Sequence, residues 1–158
     1  MASPALDSHD QRALDLAYRY LGRRDRTVAE MRHYLEDRRV DPAAITTTVA
    51  DLSAQGYLDD ARYARRFAED RRELDDWGAE RIERRLLAAG VDPDVVAAAL
   101  AQQAVEDELA AAVALLRRRF PTPPTNDRER NRALGVLVRK GYERDLAHEA
   151  VRALERAS

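Results

Sequence analysis

Apolar residues recur along this chain at helical spacing, in stretches parted by short polar breaks. Leu14, Ala17, Tyr18 and Leu21 share one face of a helix that starts near Asp10 and ends between Gly22 and Asp25. Thr27 followed by Glu30 is a capping box, and it opens a second helix with Val28, Met31, Tyr34 and Leu35 inside. Asp41 as N-cap with Pro42 in the first turn opens a third, carrying Ile45, Val49 and Leu52 and stopped by Gly56.

A second cycle repeats the scheme. Asp59 and Asp60 cap and charge a helix with Ala64, Phe67, Ala68 and Arg71 on one face, broken at Asp76-Trp77-Gly78. Ile82, Leu86 and Leu87 mark a fifth helix ending at Gly90, and Asp92-Pro93 starts a sixth with Val96, Ala99 and Leu100. The third cycle is looser. Leu109, Ala112, Val113 and Leu116 belong to a seventh helix. The run from Pro121 to Asn126 cannot be helical. An eighth helix runs from Arg130 to Lys140 with Leu134, Leu137 and Val138, and Gly141 ends it. A ninth covers Asp145 to Arg156 with Leu146, Val151 and Leu154.

The cycles superpose without gaps at a step of 51 residues, as read from Leu35, Leu86 and Leu137. The same step links Val40, Val91 and Tyr142, then Asp41, Asp92 and Glu143, then Ile45, Val96 and Ala147, then Val49, Leu100 and Val151. Gly90 and Gly141 keep it, with Arg39 as the first member, and Arg144 replaces the Pro42 and Pro93 of the earlier copies. The first helices are not expected to keep the step, because the connecting loops differ in length. The pattern predicts an all-α protein of three tandem three-helix repeats forming an elongated, curved array whose units stack to bury their apolar faces. The expected division is a flexible tail over 1–9 and repeats over 10–58, 59–104 and 105–158.

Composition excludes several kinds of chemistry. The chain has no cysteine, so disulfides, thiol catalysis and Cys-ligated metals are out. The N-terminus lacks the basic and apolar regions of a signal peptide, and no apolar run approaches membrane-spanning length. A soluble, cytoplasmic protein is expected, with no membrane contact. His9, His33 and His148 are scattered, and no HExxH, Walker A or GxGxxG sequence occurs. No catalytic set, metal site or cofactor is predicted. Carboxylates mostly have Arg three or four residues away, as in Glu80 and Arg84, which reads as a solvated helix face.

Charge sharpens the picture. The net charge is −2, yet Lys140 is the only lysine among 27 basic residues. Arg suits bidentate contact with carboxylates and phosphates, although GC-rich codon usage gives the same bias. Residues 92–110 hold five acids and no base, whereas residues 117–144 hold nine bases against three acids. That unbalanced C-terminal cluster reads as a contact surface for phosphates or an acidic protein. The Arg-rich fourth and fifth helices are almost balanced by acids and read as intrahelical pairing when taken alone. The lone Trp77, at a helix break, is either a partner hot spot or a plug between stacked units, and packing favours the plug.

The run Tyr57-Leu58-Asp59-Asp60-Ala61-Arg62-Tyr63-Ala64-Arg65-Arg66-Phe67 belongs to one motif with Arg71-Arg72, Trp77-Gly78, Ile82, Leu86, Gly90 and Val91. That motif resembles the RecX regulatory family, and the likeness extends over roughly residues 10–156. It implies a monomeric, non-enzymatic modulator that lies in the groove of the RecA–DNA filament. Such a protein suppresses the filament's ATPase, strand-exchange and co-protease activities. Contact candidates are Arg62, Arg65, Arg66, Arg81, Arg84 and Arg85, then Arg117, Arg118, Arg119, Arg130, Arg132, Arg139 and Lys140. Single- or double-stranded DNA is a further candidate partner, and the rival reading is a stand-alone helical-repeat DNA-binding protein. Asp59 and Asp60 are read as caps rather than contacts.

Overall fold

The structure, a computed structural model, describes the backbone of residues 4–157 and the side chains of residues 10–157. Among the described residues it contains nine helices and no strand: α1 (Pro4–Leu21), α2 (Val28–Asp37), α3 (Pro42–Ala54), α4 (Asp60–Asp75), α5 (Ala79–Ala88), α6 (Pro93–Leu100), α7 (Val105–Arg119), α8 (Asp127–Lys140) and α9 (Arg144–Arg156). Helix α1 begins six residues before the expected onset. Of the anticipated tail, residues 4–9 are therefore helical, and residues 1–3 lie outside the described residues. Helix α8 begins at Asp127 rather than Arg130, because Asn126 accepts a hydrogen bond from the Glu129 amide and caps it.

The 51-residue step is written into the backbone. Leu35, Leu86 and Leu137 are each fully buried, contributing about 2 kcal/mol apiece by apolar burial. Each middle helix then ends in the same αL turn. Val40, Val91 and Tyr142 donate their amides to the carbonyls of Leu35, Leu86 and Leu137 at 3.0, 3.1 and 3.0 Å. Arg39, Gly90 and Gly141 take φ of 59°, 83° and 96°, so the non-glycine member adopts the turn too. The side chains of Asp41, Asp92 and Glu143 then accept from the amides of Ala43, Asp94 and Asp145 and start the third helix of each unit.

The first helices depart from expectation. Ala13 and Ala17 of α1 are buried one step before Ala64 and Ala68 of α4, so the register does persist from unit 1 to unit 2. In α7 Leu115 is buried one step after Ala64, but Ala112 and Leu116 are buried three residues early, and after the longer 120–126 loop the step holds again at α8. Tyr18 and Leu87, expected inside, are 43% and 40% exposed.

Each unit closes its own apolar core. Met31, Leu35 and Leu52 centre the first, Ile82, Leu86 and Val96 the second, and Leu116, Leu137 and Val151 the third. The units do not need one another to bury their apolar faces, contrary to the stacking argument from sequence. They are joined through helix ends. The first turn of α2 meets the end of α5: Thr27 Oγ1 donates to the Ala89 carbonyl at 2.7 Å, and the Val28 amide donates to Asp60 at 3.0 Å. The first turn of α5 meets the end of α8. There Gly78 donates to the Lys140 carbonyl at 2.8 Å, Glu80 to the Gly141 carbonyl at 2.9 Å, and Ala79 to Glu108 at 3.0 Å. At the second junction orphan amides of one helix thus satisfy orphan carbonyls of the next, while at the first a hydroxyl reaches the carbonyl and a carboxylate takes the amide; aligned dipoles favour both.

Candidate partner interface

Asp59 caps its own helix, accepting from the Arg62 amide at 3.0 Å, but Asp60 caps α2 of the neighbouring unit. Burial raises the Asp60 carboxyl above its ordinary range, with repulsion from Asp59 and Glu30 added, while the Val28 amide opposes the rise. Beside this junction lies a cleft of about 650 Å³ between units 1 and 2. Its lining sets Arg24, Arg66, Arg71 and Arg85 against Asp25, Glu30 and Asp70, and includes the rings of Tyr63 and Phe67. Those two rings sit one turn apart on α4 and stack at 6.2 Å. Arg24 pairs with Glu30 at 2.7 Å, and Arg66 approaches Asp25 at 3.7 Å across the junction. Burial alone would raise the Glu30 carboxyl; the Arg24 guanidinium and the Thr27 amide outweigh it and hold the group below the usual range.

The expected contact residues divide between engaged and free cations. Arg62 donates to the Gly56 carbonyl at 2.5 Å and closes the end of α3. Arg81 lies 4.0 Å over the Trp77 ring and reaches the Arg139 carbonyl. Arg118 pairs with Asp76 at 2.8 Å, and Arg130 bridges Asp127 and Glu155 at 2.8 and 2.5 Å. Lys140 donates to the Asp75 carbonyl at 2.9 Å, while Arg139 lies back along its helix over Gly135. Arg65 borders a shallow groove between α4 and α6. Arg84, Arg117, Arg119 and Arg132 are exposed and make no ion pair or hydrogen bond among the described residues. Of the thirteen, only Arg66 and Arg85 enter the cleft. Arg24 and Arg71 were not among the sequence candidates. Arg24 was hidden in a polar loop, and its pairing partner Glu30 was accounted for by the capping box.

Trp77 sits in the core of its own unit beside Phe67 and beneath Arg81, not between units. Glu80 and Arg84 form no ion pair; the one described i,i+4 pair is Arg71 with Asp75. His33 and His148 are exposed and far apart in sequence, and the His9 side chain lies outside the described residues. Among the described residues no group of three or more metal-ligating side chains assembles, and no helix is long and apolar enough to cross a membrane.

Three family models match in tandem: the first, second and third three-helix domains of RecX, over residues 13–52, 59–100 and 106–151. This chain belongs to the RecX family. A regulatory protein RecX from Leptothrix cholodnii is 35% identical over 136 residues, spanning 86% of this chain and 85% of the relative. A regulatory protein RecX from Mycobacterium avium is 34% identical over 150 residues, spanning 92% and 86%. The crystal structure of RecX from Lactobacillus salivarius superposes with a TM-score of 0.85 at 20% identity, covering 95% of this chain and 99% of that one. The likeness to that structure is one of fold. As a RecX family member the chain is a regulatory protein built of three helical domains.

Proposed function

We propose that this chain is a non-enzymatic regulator that binds the RecA–DNA filament and inhibits its ATPase, strand-exchange and co-protease activities. The observation that carries the reading is the three-unit array with an Arg-lined cleft at its first junction, in a chain of the RecX family. An array whose units join through helix ends presents one long face, which suits a partner that itself repeats. The free guanidinium of Arg84 and the exposed guanidinium of Arg85 on α5, with Arg66 across the cleft, would meet filament carboxylates or DNA phosphates. Arg117, Arg119 and Arg132 supply a second set on unit 3. The engaged residues Arg62, Arg118, Arg130 and Lys140 serve the scaffold.

The test is a titration of this chain into DNA-stimulated ATP hydrolysis by the RecA of the same organism. Hydrolysis is expected to fall with dose. The Arg66→Glu/Arg85→Glu variant should lose at least tenfold in potency while retaining its helical spectrum. Unchanged hydrolysis at equimolar dose overturns the reading. Steeply salt-dependent DNA binding without RecA would favour the stand-alone DNA-binding alternative.

A further inference from the structure

The carbonyls of Arg38, Ala89 and Lys140 are equivalent, one step apart at the ends of α2, α5 and α8. Two of them are satisfied by the preceding unit, through Thr27 Oγ1 at 2.7 Å and the Gly78 amide at 2.8 Å. Unit 1 is the first of the three units described, and its α2 end receives no such donor from a neighbouring unit. There the Arg12 guanidinium of its own first helix donates to the Arg38 carbonyl at 3.0 Å and stands where the neighbour's N-cap stands elsewhere.

The next residue repeats the contrast. A Cβ on Gly90 would land on the Cβ of Ala29. One on Gly141 would collide with the Cβ of Arg81 and lie 2.6 Å from its backbone nitrogen. Stacking therefore requires a bare α-carbon at this position as well as a positive φ. Unit 1 has Arg39 here, holding the same αL conformation at φ 59° but with a side chain. The third element of a junction is also missing. Asp60 and Glu108 cap the neighbour's first helical residue, and one step before Asp60 the sequence has His9. In front of this end lies an open cleft of about 590 Å³ lined by Arg12, Arg39, Val40, Asp41, Pro42 and Ala44.

The far end of the array is not closed in this way. Helix α8 has the cap that α2 has: Asn126 accepts from Glu129 as Thr27 accepts from Glu30. The Asp127 and Arg128 amides make no hydrogen bond among the described residues. An array with a donor turn at one end and an acceptor face at the other extends head to tail without limit unless one end is blocked.

We propose that unit 1 is an end cap: Arg12 and Arg39 close a stacking face that would otherwise accept the first turn of α8 from a second copy of this chain. Arg12 supplies the hydrogen bond the neighbour would give. The Arg39 Cβ occupies the space the neighbour would need. Unit 1 keeps the αL turn of the other two units and loses their glycine.

The test is sedimentation of the full chain and three variants up to millimolar concentration. The wild type is expected to hold its 17.9 kDa mass throughout. Arg12→Ala/Arg39→Gly should rise with concentration past twofold without a plateau at the dimer, as an open head-to-tail contact requires. Arg12→Ala/Arg39→Ala removes the same charges but keeps a Cβ, and should stay at the monomer mass. Arg39→Gly alone should shift in the same direction by a smaller factor, with no loss in melting temperature, so the test stands even if the double variant unfolds. Three results overturn the proposal: self-association of the wild type, a folded glycine variant that stays monomeric, or equal association of the alanine and glycine double variants.

Discussion

Three glycine-to-alanine replacements separate backbone strain from crowding at the junctions. Gly56 has φ of 81° and open space where a Cβ would go, so Gly56→Ala meets strain alone, about 1 kcal/mol. Gly78 has an ordinary φ of −84°, but a Cβ there would lie 2.5 Å from the Gly141 carbonyl carbon and oxygen. Gly78→Ala therefore meets crowding alone. Relieving it means parting α5 from α8 and losing the amide bonds of Gly78 and Glu80 to Lys140 and Gly141. Two such bonds at about 1 kcal/mol each, with overpacking of about 1–3 kcal/mol, less about 0.5–1 kcal/mol gained in the unfolded chain, leave about 2–4 kcal/mol. Gly141→Ala combines both effects, φ of 96° and a collision with Arg81, and should cost about 3–5 kcal/mol. The assay is urea unfolding followed by two probes. Trp77 is the lone tryptophan and reports the core of unit 2, whereas far-ultraviolet circular dichroism reports all helices. Coincident curves are expected for Gly56→Ala. For Gly78→Ala and Gly141→Ala the dichroism should move to lower urea than the tryptophan signal as unit 3 uncouples. Gly78→Ala costing no more than Gly56→Ala, with a single shared transition, would refute the head-to-tail junction.

The other predictions concern the first junction. Thr27→Ala loses both the cap to Glu30 and the hydroxyl bond to Ala89, and should cost about 2 kcal/mol in chemical denaturation, with Thr27→Ser within about 0.5 kcal/mol of wild type. Glu30 has a folded-state pKa below its ordinary 4.5, so its stabilising contribution is present above that value and is lost as pH falls through the lowered one. Glu30→Gln should flatten the acid limb of stability against pH below 4.5. Asp60 runs the other way: its pKa is raised above 3.8, so its contribution is present below that value and lost as pH rises through the raised one. Asp60→Asn, which keeps an oxygen for the Val28 amide, should leave melting at neutral pH unchanged or raised, whereas Asp60→Ala should lower stability by about 1 kcal/mol.

Tyr142 shows how a residue's environment can depend on a junction. By the repeat it is the counterpart of Val40 and Val91, and its ring is buried as theirs are. Its hydroxyl is pushed up to about 12 by burial, by Asp76 at the end of α4 and by Glu108 of α7, groups that meet only where units 2 and 3 join. Trp77 and Asp60 make the same point in reverse. Asp60, read as a cap of its own helix, caps α2 of the neighbouring unit, and Trp77, read as a plug between units, packs inside its own.

The helices, their caps and the 51-residue register follow from short-range chemistry. A capping Thr27, an Asp41-Pro42 start or a Gly141 stop acts within one turn, so local order along the chain is enough to read it. That is why the three-domain helical architecture was legible from residues alone. The junctions were not. Whether Asp60 caps α4 or α2, whether a free Arg is a contact or a strut, and which four guanidiniums line one cleft all depend on residues far apart in sequence. Helix propensity and periodicity carry no record of such distances. Only the packed chain decides which orphan amide finds which carbonyl, because those bonds form between helix ends that the sequence itself leaves equally unsatisfied.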